Sequence, residues 1–399
     1  MRRRVLDFLC CPDCRHETLD LTVYKSEEEG DNETVVEGEI CCQGCGSRFP
    51  VINSIPRMLP QALRPSLVGF HRDFFQRYPD LVPQHIKKSP NEQVARTLAG
   101  YSYQHVQLDD RAREVERWRR SFCESIPVQP DFFRGKVGAD IGCGEGRFLY
   151  WAHEFGAEMV GVDLSEGVEV AQANTAACSR CQVVQGDIYH LPFKPGVFDF
   201  AYSIGVLHHL PNPREGFRRV IPAVKLLGGK VFIWVYGLQG MRWWYRLSHM
   251  TWLRGIAPYL PRWAQHLASM GVAGVLELAI WWPCRIIALF PGGESLTNRL
   301  PLGDAYRRSF RAKTRSVLDR FQPPETHYHT AEELTDWFKE AGLMNVSVIN
   351  RDGRGWLAIG DKGQEHGVLH AKDVYQDGGV RAYHRGVETD VRRGLRSSG

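Results

Sequence analysis

Charge imbalance is slight in this 399-residue sequence: 50 Lys and Arg face 46 Asp and Glu, a formal net charge of +4. Composition alone therefore gives no argument for a nucleic-acid partner. No apolar run is clean enough to read as a bilayer span. The longest candidate, residues 271–290, is broken by Glu277, Pro283 and Arg285. Internal repeats are absent. Met1-Arg2-Arg3-Arg4 has the charge of a signal-peptide start, but Val5-Leu6-Asp7-Phe8-Leu9 is short, carries a charge and runs straight into cysteines. The expectation is a chain without a signal peptide, working in a reducing cytoplasm. Eleven cysteines there mean metal or packing rather than disulfides.

The length suits two or three domains. Residues 1–60 hold Cys10, Cys11, Cys14, Cys41, Cys42 and Cys45, more than half of all the cysteines. Cys11-Pro12-Asp13-Cys14 and Cys42-Gln43-Gly44-Cys45 form two C-x-x-C knuckles with 27 residues between them. Four thiolates in two such knuckles suit tetrahedral, structural zinc in a fold too small for its own core. Cys10 and Cys41 stand adjacent as alternative ligands; the pairs with two intervening residues give the set Cys11, Cys14, Cys42 and Cys45.

Residues 61–130 read as a polar, arginine-rich helical linker. From Lys136 apolar runs alternate with amphipathic ones: 137–141, 158–162, 181–184, 198–203 and 230–236. A helix over 330–341 and strands near 346–349 and 356–359 follow. This alternation predicts an α/β, Rossmann-like doubly wound sheet of seven mostly parallel strands, the last antiparallel. The divisions expected are a zinc ribbon (1–60), a linker (61–130), a core (131–236), a helical insertion (237–325), a completing unit (326–362) and a disordered tail (363–399).

Gly138-Ala139-Asp140-Ile141-Gly142-Cys143-Gly144-Glu145-Gly146 reads as a buried strand, a glycine-rich turn and a helix starting at Arg147. Alternate glycines let backbone approach a ligand closely. Asp163 closes the next apolar run 19 residues after Gly144, a distance suited to the two hydroxyls of a ribose. A dinucleotide fingerprint would place its third glycine at position 147, which is Arg147; the third glycine is Gly146. The ligand is a nucleoside, and a dehydrogenase is disfavoured.

That loop, Asp163, Gly186-Asp187-Ile188, Leu207-His208-His209-Leu210-Pro211 and Leu227-Gly228-Gly229 occur in an order that resembles class I S-adenosylmethionine-dependent methyltransferases. The likeness is greatest to the branch of the ubiquinone and menaquinone C-methyltransferases. The resemblance implies S-adenosylmethionine as cofactor. It implies Gly142, Gly144 and Gly146 along the methionine part, Asp163 on the ribose, Asp187 on the adenine amino group with Ile188 packed on the ring, and Ser203 beside the sulfonium. Asp140 is implied as partner of the loop or of the cofactor's amino group, and Tyr101 and Tyr103 as an aromatic element closing over the methionine end, or else as core aromatics. The N-terminal knuckles, with Phe49-Pro50-Val51-Ile52-Asn53-Ser54-Ile55-Pro56, resemble the small zinc-ribbon subunits that activate tRNA and rRNA methyltransferases.

A sulfonium is already electrophilic, so catalysis is mainly positioning, and a general base is needed only when the nucleophile must lose a proton. His208 and His209, and His327 and His329 before the last helix, are the candidate bases; pocket-shaping and capping are their structural alternatives. The insertion carries six of eleven tryptophans, Trp243, Trp244, Trp252, Trp263, Trp281 and Trp282. It reads as a substrate lid, as a membrane-surface contact at the inner membrane face, or as ordinary helical or homodimer packing. The function expected is methyl transfer to a hydrophobic small-molecule or lipid-linked acceptor. The alternatives are an RNA base methyltransferase guided by the ribbon, and a non-catalytic adaptor.

Overall fold

The structure, a computed structural model, describes residues 1–29, 32–83, 111–237, 259–300, 302–321, 326–351 and 355–363. Tyr101, Tyr103, the first part of the insertion and the tail expected to be disordered lie outside the described residues.

The N-terminal segment forms β1 (Leu19–Glu29), β2 (Asn32–Cys42), β3 (Arg48–Ile52) and β4 (Ile55–Met58), an antiparallel ladder with a bulge near Lys25. The core contributes β5 (Val137–Ile141), β6 (Glu158–Asp163), β7 (Cys181–Gly186), β8 (Phe200–Ile204), β9 (Gly229–Tyr236), β10 (Leu343–Arg351) and β11 (Gly355–Lys362). Their order is β7-β6-β5-β8-β9-β11-β10. Strands β5 to β9 are parallel, and β11 runs antiparallel to both neighbours. The seven-strand, last-antiparallel expectation describes this core.

The sheet does not stop there. β4 pairs in parallel with β7, Arg57 opposite Gln185 and Met58 opposite Gly186, so ribbon and core share one 11-stranded sheet. The sequence pattern shows which face of a strand is apolar but not which strand lies beside it. β7 would otherwise be an open edge, with unpaired backbone groups that another strand can satisfy.

Alternation along each core strand sorts side chains to two faces. Ala139, Val160, Val184, Ala201 and Val231 enter one apolar cluster; Met159, Val183, Phe200, Tyr202 and Phe232 enter another. The first cluster also contains Val5, Phe8, Leu9, Ile40 and Phe49 of the ribbon. Ribbon and core are therefore packed as well as hydrogen-bonded together. Phe217, from the helix Pro213–Val220, stacks on Phe338, from the helix Ala331–Glu340, at 4.7 Å between centroids. Both helices start as their sequences direct: Asn212 and Thr330 accept the backbone N–H three residues on, at Glu215 and Glu333.

At the seam, the Arg57 side chain is fully buried. It pairs with Glu169 and, at 3.5 Å, with Glu166, and it donates to Gln185 Oε1 at 3.0 Å. His71 lies 3.4 Å from Glu166. Burial pushes the Glu166 carboxyl up, but its contacts with His71, Arg57 and Gln185 outweigh that and hold it below the ordinary range. The guanidinium supplies the cation for these carboxylates, so the His71–Glu166–Glu169 group is an ion-pair seam and not a metal centre.

The described part of the insertion is helical: Arg262–Leu276, a π-turn at Glu277–Trp281, Trp282–Ile287, Gly293–Arg299 and Phe310–Phe321. It has a small core of its own in Ala273, Trp281, Cys284, Ala305, Tyr306 and Val317.

Candidate cofactor and metal sites

The glycine loop leaves the end of β5 and enters the helix Arg147–Glu154. Gly142, Gly144 and Gly146 take φ of +81°, +53° and +78°, the left-handed region where side-chain-bearing residues are strained. A Cβ at Gly142 would also stand 2.4 Å from Val206 Cγ2, so space as well as torsion demands glycine. The Gly142 and Cys143 N–H groups donate to Val162 O at 2.7 and 3.1 Å, tying the loop to β6.

Asp163 ends β6. Its Oδ2 accepts the Gly144 N–H at 2.9 Å; its Oδ1 accepts the Ser165 N–H at 2.8 Å and the Ser165 hydroxyl at 2.7 Å. A carboxylate offers about four acceptor positions; three are taken in this way, and one stays open to a ribose hydroxyl. Asp187, just past β7, caps the turn Ile188–His190: Oδ1 accepts the Tyr189 N–H at 3.2 Å, and Oδ2 lies 2.6 Å from His190 Nδ1. Contact with Asp187 raises the His190 pKa. Ile188 is buried beside it. The Ser203 hydroxyl donates to Ile141 O at 3.0 Å, spending its proton on the junction of β8 and β5.

Asp140 is buried. Its Oδ2 has no hydrogen-bond partner among the described residues. Burial, reinforced by nearby Asp163, pushes its carboxyl well above the usual range. Tyr202, also buried, is pushed up by desolvation and by Asp140.

The four histidines are drawn to one end of the sheet, though not to one point. The His327 N–H donates to His208 O at 2.8 Å, and His209 Nδ1 lies 3.4 Å from Thr326 Oγ1. The ring of His208, fully buried, packs 3.9 Å from Tyr236 and 4.1 Å from His209. His329 is different. Its ring packs edge-on to Trp337 at 4.8 Å, its Nδ1 reaches Glu333 Oε1 at 3.0 Å, and its backbone bridges Tyr236 O and Trp356 Nε1. Those contacts give His329 a positioning role at the start of the last helix.

Sequence reasoning overlooked two groups. Glu145, in the loop itself, is buried and pairs with Arg315 of the helix Phe310–Phe321 at 2.7 Å; its backbone O accepts from Asn174 Nδ2 at 2.6 Å. Arg315 lies 170 residues away in a basic stretch with no pattern to distinguish it. Arg57 was equally unmarked. Tyr236 and Tyr328, stacked at 6.0 Å between centroids, line the histidine end.

In the ribbon, Cys11 Sγ lies 3.7 Å from Cys45 Sγ and Cys14 Sγ 3.6 Å from Cys42 Sγ, with all four sulfurs within 4.8 Å of one another. Tetrahedral zinc with bonds of about 2.3 Å places its sulfurs roughly 3.8 Å apart, so this donor set fits. The knuckles are locally alike. Arg15 and Gly46 each follow the second cysteine with φ near +70° (68° and 72°), and each donates its N–H to the first cysteine's O at 2.9 Å. Cys10 is buried, donates its N–H to Pro192 O, and has its thiol pushed up to about 11 by burial. Cys10 and Cys41 stand outside the four-sulfur cluster.

Residues 139–232 match the family model described as "Methyltransferase domain", and residues 2–54 match "Trm112p-like protein". A tRNA (carboxymethyluridine(34)-5-O)-methyltransferase of Xenopus tropicalis is 30% identical over 166 residues, 38% of this chain and 24% of that one. A sterol 4-C-methyltransferase of Caenorhabditis elegans is 32% identical over 99 residues, 24% and 29% respectively. An uncharacterised Synechococcus protein is 31% identical over 323 residues, 72% and 65%. The chain thus spans about a quarter of the length of the first two. Among solved structures, a complex between the Haloferax volcanii Trm112 methyltransferase activator and a methyltransferase aligns at TM-score 0.37 and 14% identity, over 66% of this chain and 98% of that one. Residues 139–232 of this chain are thus similar to a methyltransferase domain, and residues 2–54 to a Trm112p-like domain.

Proposed function

We propose that the chain transfers a methyl group from S-adenosylmethionine to a hydrophobic small-molecule or lipid-linked acceptor. One observation carries the cofactor half: three left-handed glycines in one loop, whose central amide is fixed by a carboxylate on the neighbouring strand. Gly142, Gly144 and Gly146 would expose backbone to the methionine part. Asp163 would take the ribose hydroxyls, and Asp187 with Ile188 would hold the adenine. Asp140, with an unpartnered buried oxygen, is suited to a ligand that brings positive charge. When bound, S-adenosylmethionine supplies an electrophilic methyl on its sulfonium.

The chain's own task is then to orient the acceptor and exclude water. Arg315 fastens the insertion to the loop through Glu145, so the apolar insertion stands beside the cofactor site. An aromatic and histidine-lined end of β8 and β9 suits an acceptor with apolar bulk. His208, His209 and His327 are the groups placed there to receive a proton if the acceptor must lose one.

RNA is the second reading, supported by the Trm112p-like match and by the tRNA methyltransferases among the relatives. The two are separated by incubating the protein with isotopically labelled cofactor and cell extract fractionated into lipid and RNA. Label in the lipid fraction supports the first reading, and label in RNA replaces it. Calorimetry with S-adenosylmethionine tests the cofactor half. Asp163→Ala is expected to weaken binding at least tenfold, and unchanged binding rejects the assignment.

A further inference from the structure

We propose that the insertion docks on the surface of an anionic lipid bilayer through the outward face of Trp263–Ile287. This concerns the insertion alone and stands whatever the methyl acceptor is.

The segment Trp263–Ile287 is inverted relative to a helix of a water-soluble surface. Fourteen of the eighteen exposed large apolar side chains among the described residues lie between Tyr259 and Phe310. Along this helix and into the turn that follows it they form a stripe that includes Trp263, Leu267, Met270, Trp282, Ile286 and, in the turn, Leu289, the last 82% exposed. Polar groups face inward instead: Gln265 and Ser269 are buried. Glu277 is paired with Arg285 at 2.6 Å and with the buried Lys313 at 2.7 Å. A soluble monomer rarely leaves so much contiguous apolar surface bare.

The π-turn keeps the stripe straight. The triplets Trp263/Leu267/Met270 and Trp282/Ile286/Leu289 share an i, i+4, i+7 spacing and start 19 residues apart. Five α-helical turns take 18 residues, so an unbroken helix would rotate the second triplet about 100° away from the first. The turn at Glu277–Trp281 absorbs one extra residue, and both triplets face solvent.

Length and composition would let Trp263–Ile287 cross a bilayer. Its inner face excludes that. Ala273, Trp281 and Cys284 pack with Val317 of the helix Phe310–Phe321, which carries Arg311, Lys313, Arg315 and Arg320 and would have to cross as well. The helix therefore lies in the interface plane, apolar face down.

Charge selects the occupant. Residues 237–325 contain twelve Lys and Arg against five Asp and Glu, a formal +7 in a chain whose total is +4. A second copy would carry the same net charge in its own insertion and be repelled, whereas an anionic headgroup layer is complementary to it. Trp263 and Trp282, both more than half exposed, are side chains that favour the boundary between headgroups and acyl chains.

The test is co-sedimentation of the full chain with vesicles of phosphatidylcholine alone or mixed 3:1 with phosphatidylglycerol, beside the variant Trp263→Glu/Leu267→Glu/Trp282→Glu. The wild type is expected to sediment with the anionic vesicles and the variant to lose at least tenfold in affinity. S-adenosylmethionine binding, unchanged in the variant, serves as the control for folding. A wild type that stays in the supernatant, or a variant that sediments equally, overturns the proposal. So does a wild-type dimer, seen by light scattering, that the variant splits while vesicles are ignored. Should the variant fail to fold, brominated lipid decides: quenching of wild-type tryptophan fluorescence supports docking, and its absence rejects it.

Discussion

At the scale of single residues, Asp163 shows how far spacing reaches. Its place 19 residues after Gly144 singles it out as a candidate ligand, and the structure shows the same carboxylate holding the Gly144 amide. Spacing finds such a residue because strand, turn and helix lengths are stereotyped in this topology. It misses Arg315, whose pairing with Glu145 depends on how a helix 170 residues later is laid down. The histidines fall between these cases. Their nearness follows from the order of β8, β9 and the last helix, but His329 is spent on Glu333 and Trp337. That commitment has a pH signature. Burial holds the His329 pKa below the ordinary value, against a smaller upward pull from Glu333. The unfolded chain takes up a proton near pH 6.5 that the folded chain refuses. This stabilisation is present above that range and is lost as pH falls through it to the folded pKa. Thermal unfolding at pH 5 to 8 should show a shallower acid loss for His329→Gln than for the wild type, by up to one proton's worth of slope.

Among elements, the core strands announce themselves because parallel strands buried on both faces are continuous apolar runs. The start of the last helix was equally plain: the sequence reading begins it at Thr330, and the Thr330 side chain caps it. The joining of β4 to β7 was hidden. It is two residue pairs long, and neither strand's pattern names its neighbour. Arg57 makes the join specific. With its side chain fully buried among Glu166, Glu169 and Gln185, its removal would leave carboxylates without their cation. Arg57→Ala should cost about 3–5 kcal/mol in urea unfolding. Adding Glu166→Gln and Glu169→Gln should recover part of that, because the stranded charges are then gone. If the single variant unfolds like the wild type, the seam is held by packing alone.

Across the whole molecule, ribbon and core share a sheet and an apolar cluster, so they should melt together. Scanning calorimetry is expected to show one transition spanning both. Cys11→Ser/Cys42→Ser removes two of the four sulfurs and should abolish bound zinc in metal analysis. A loss of only ~5 kcal/mol of metal-linked stability would lower Tm by about 6 °C in a chain of this size. An unaltered Tm, or stoichiometric zinc in the variant, would show that these are not the ligands.

The strand pairing at β4 and β7 also has a consequence for dosage. Between separate chains such a seam would obey mass action, falling apart on dilution below its dissociation constant and demanding matched synthesis of two products. Here both strands belong to one polypeptide, and the tether holds the ribbon at an effective concentration on the order of millimolar. Occupancy of the seam is then independent of how much protein the cell makes. Every copy carries its ribbon in a fixed one-to-one ratio, and no pool of orphaned core with a bare β7 edge builds up when expression is low.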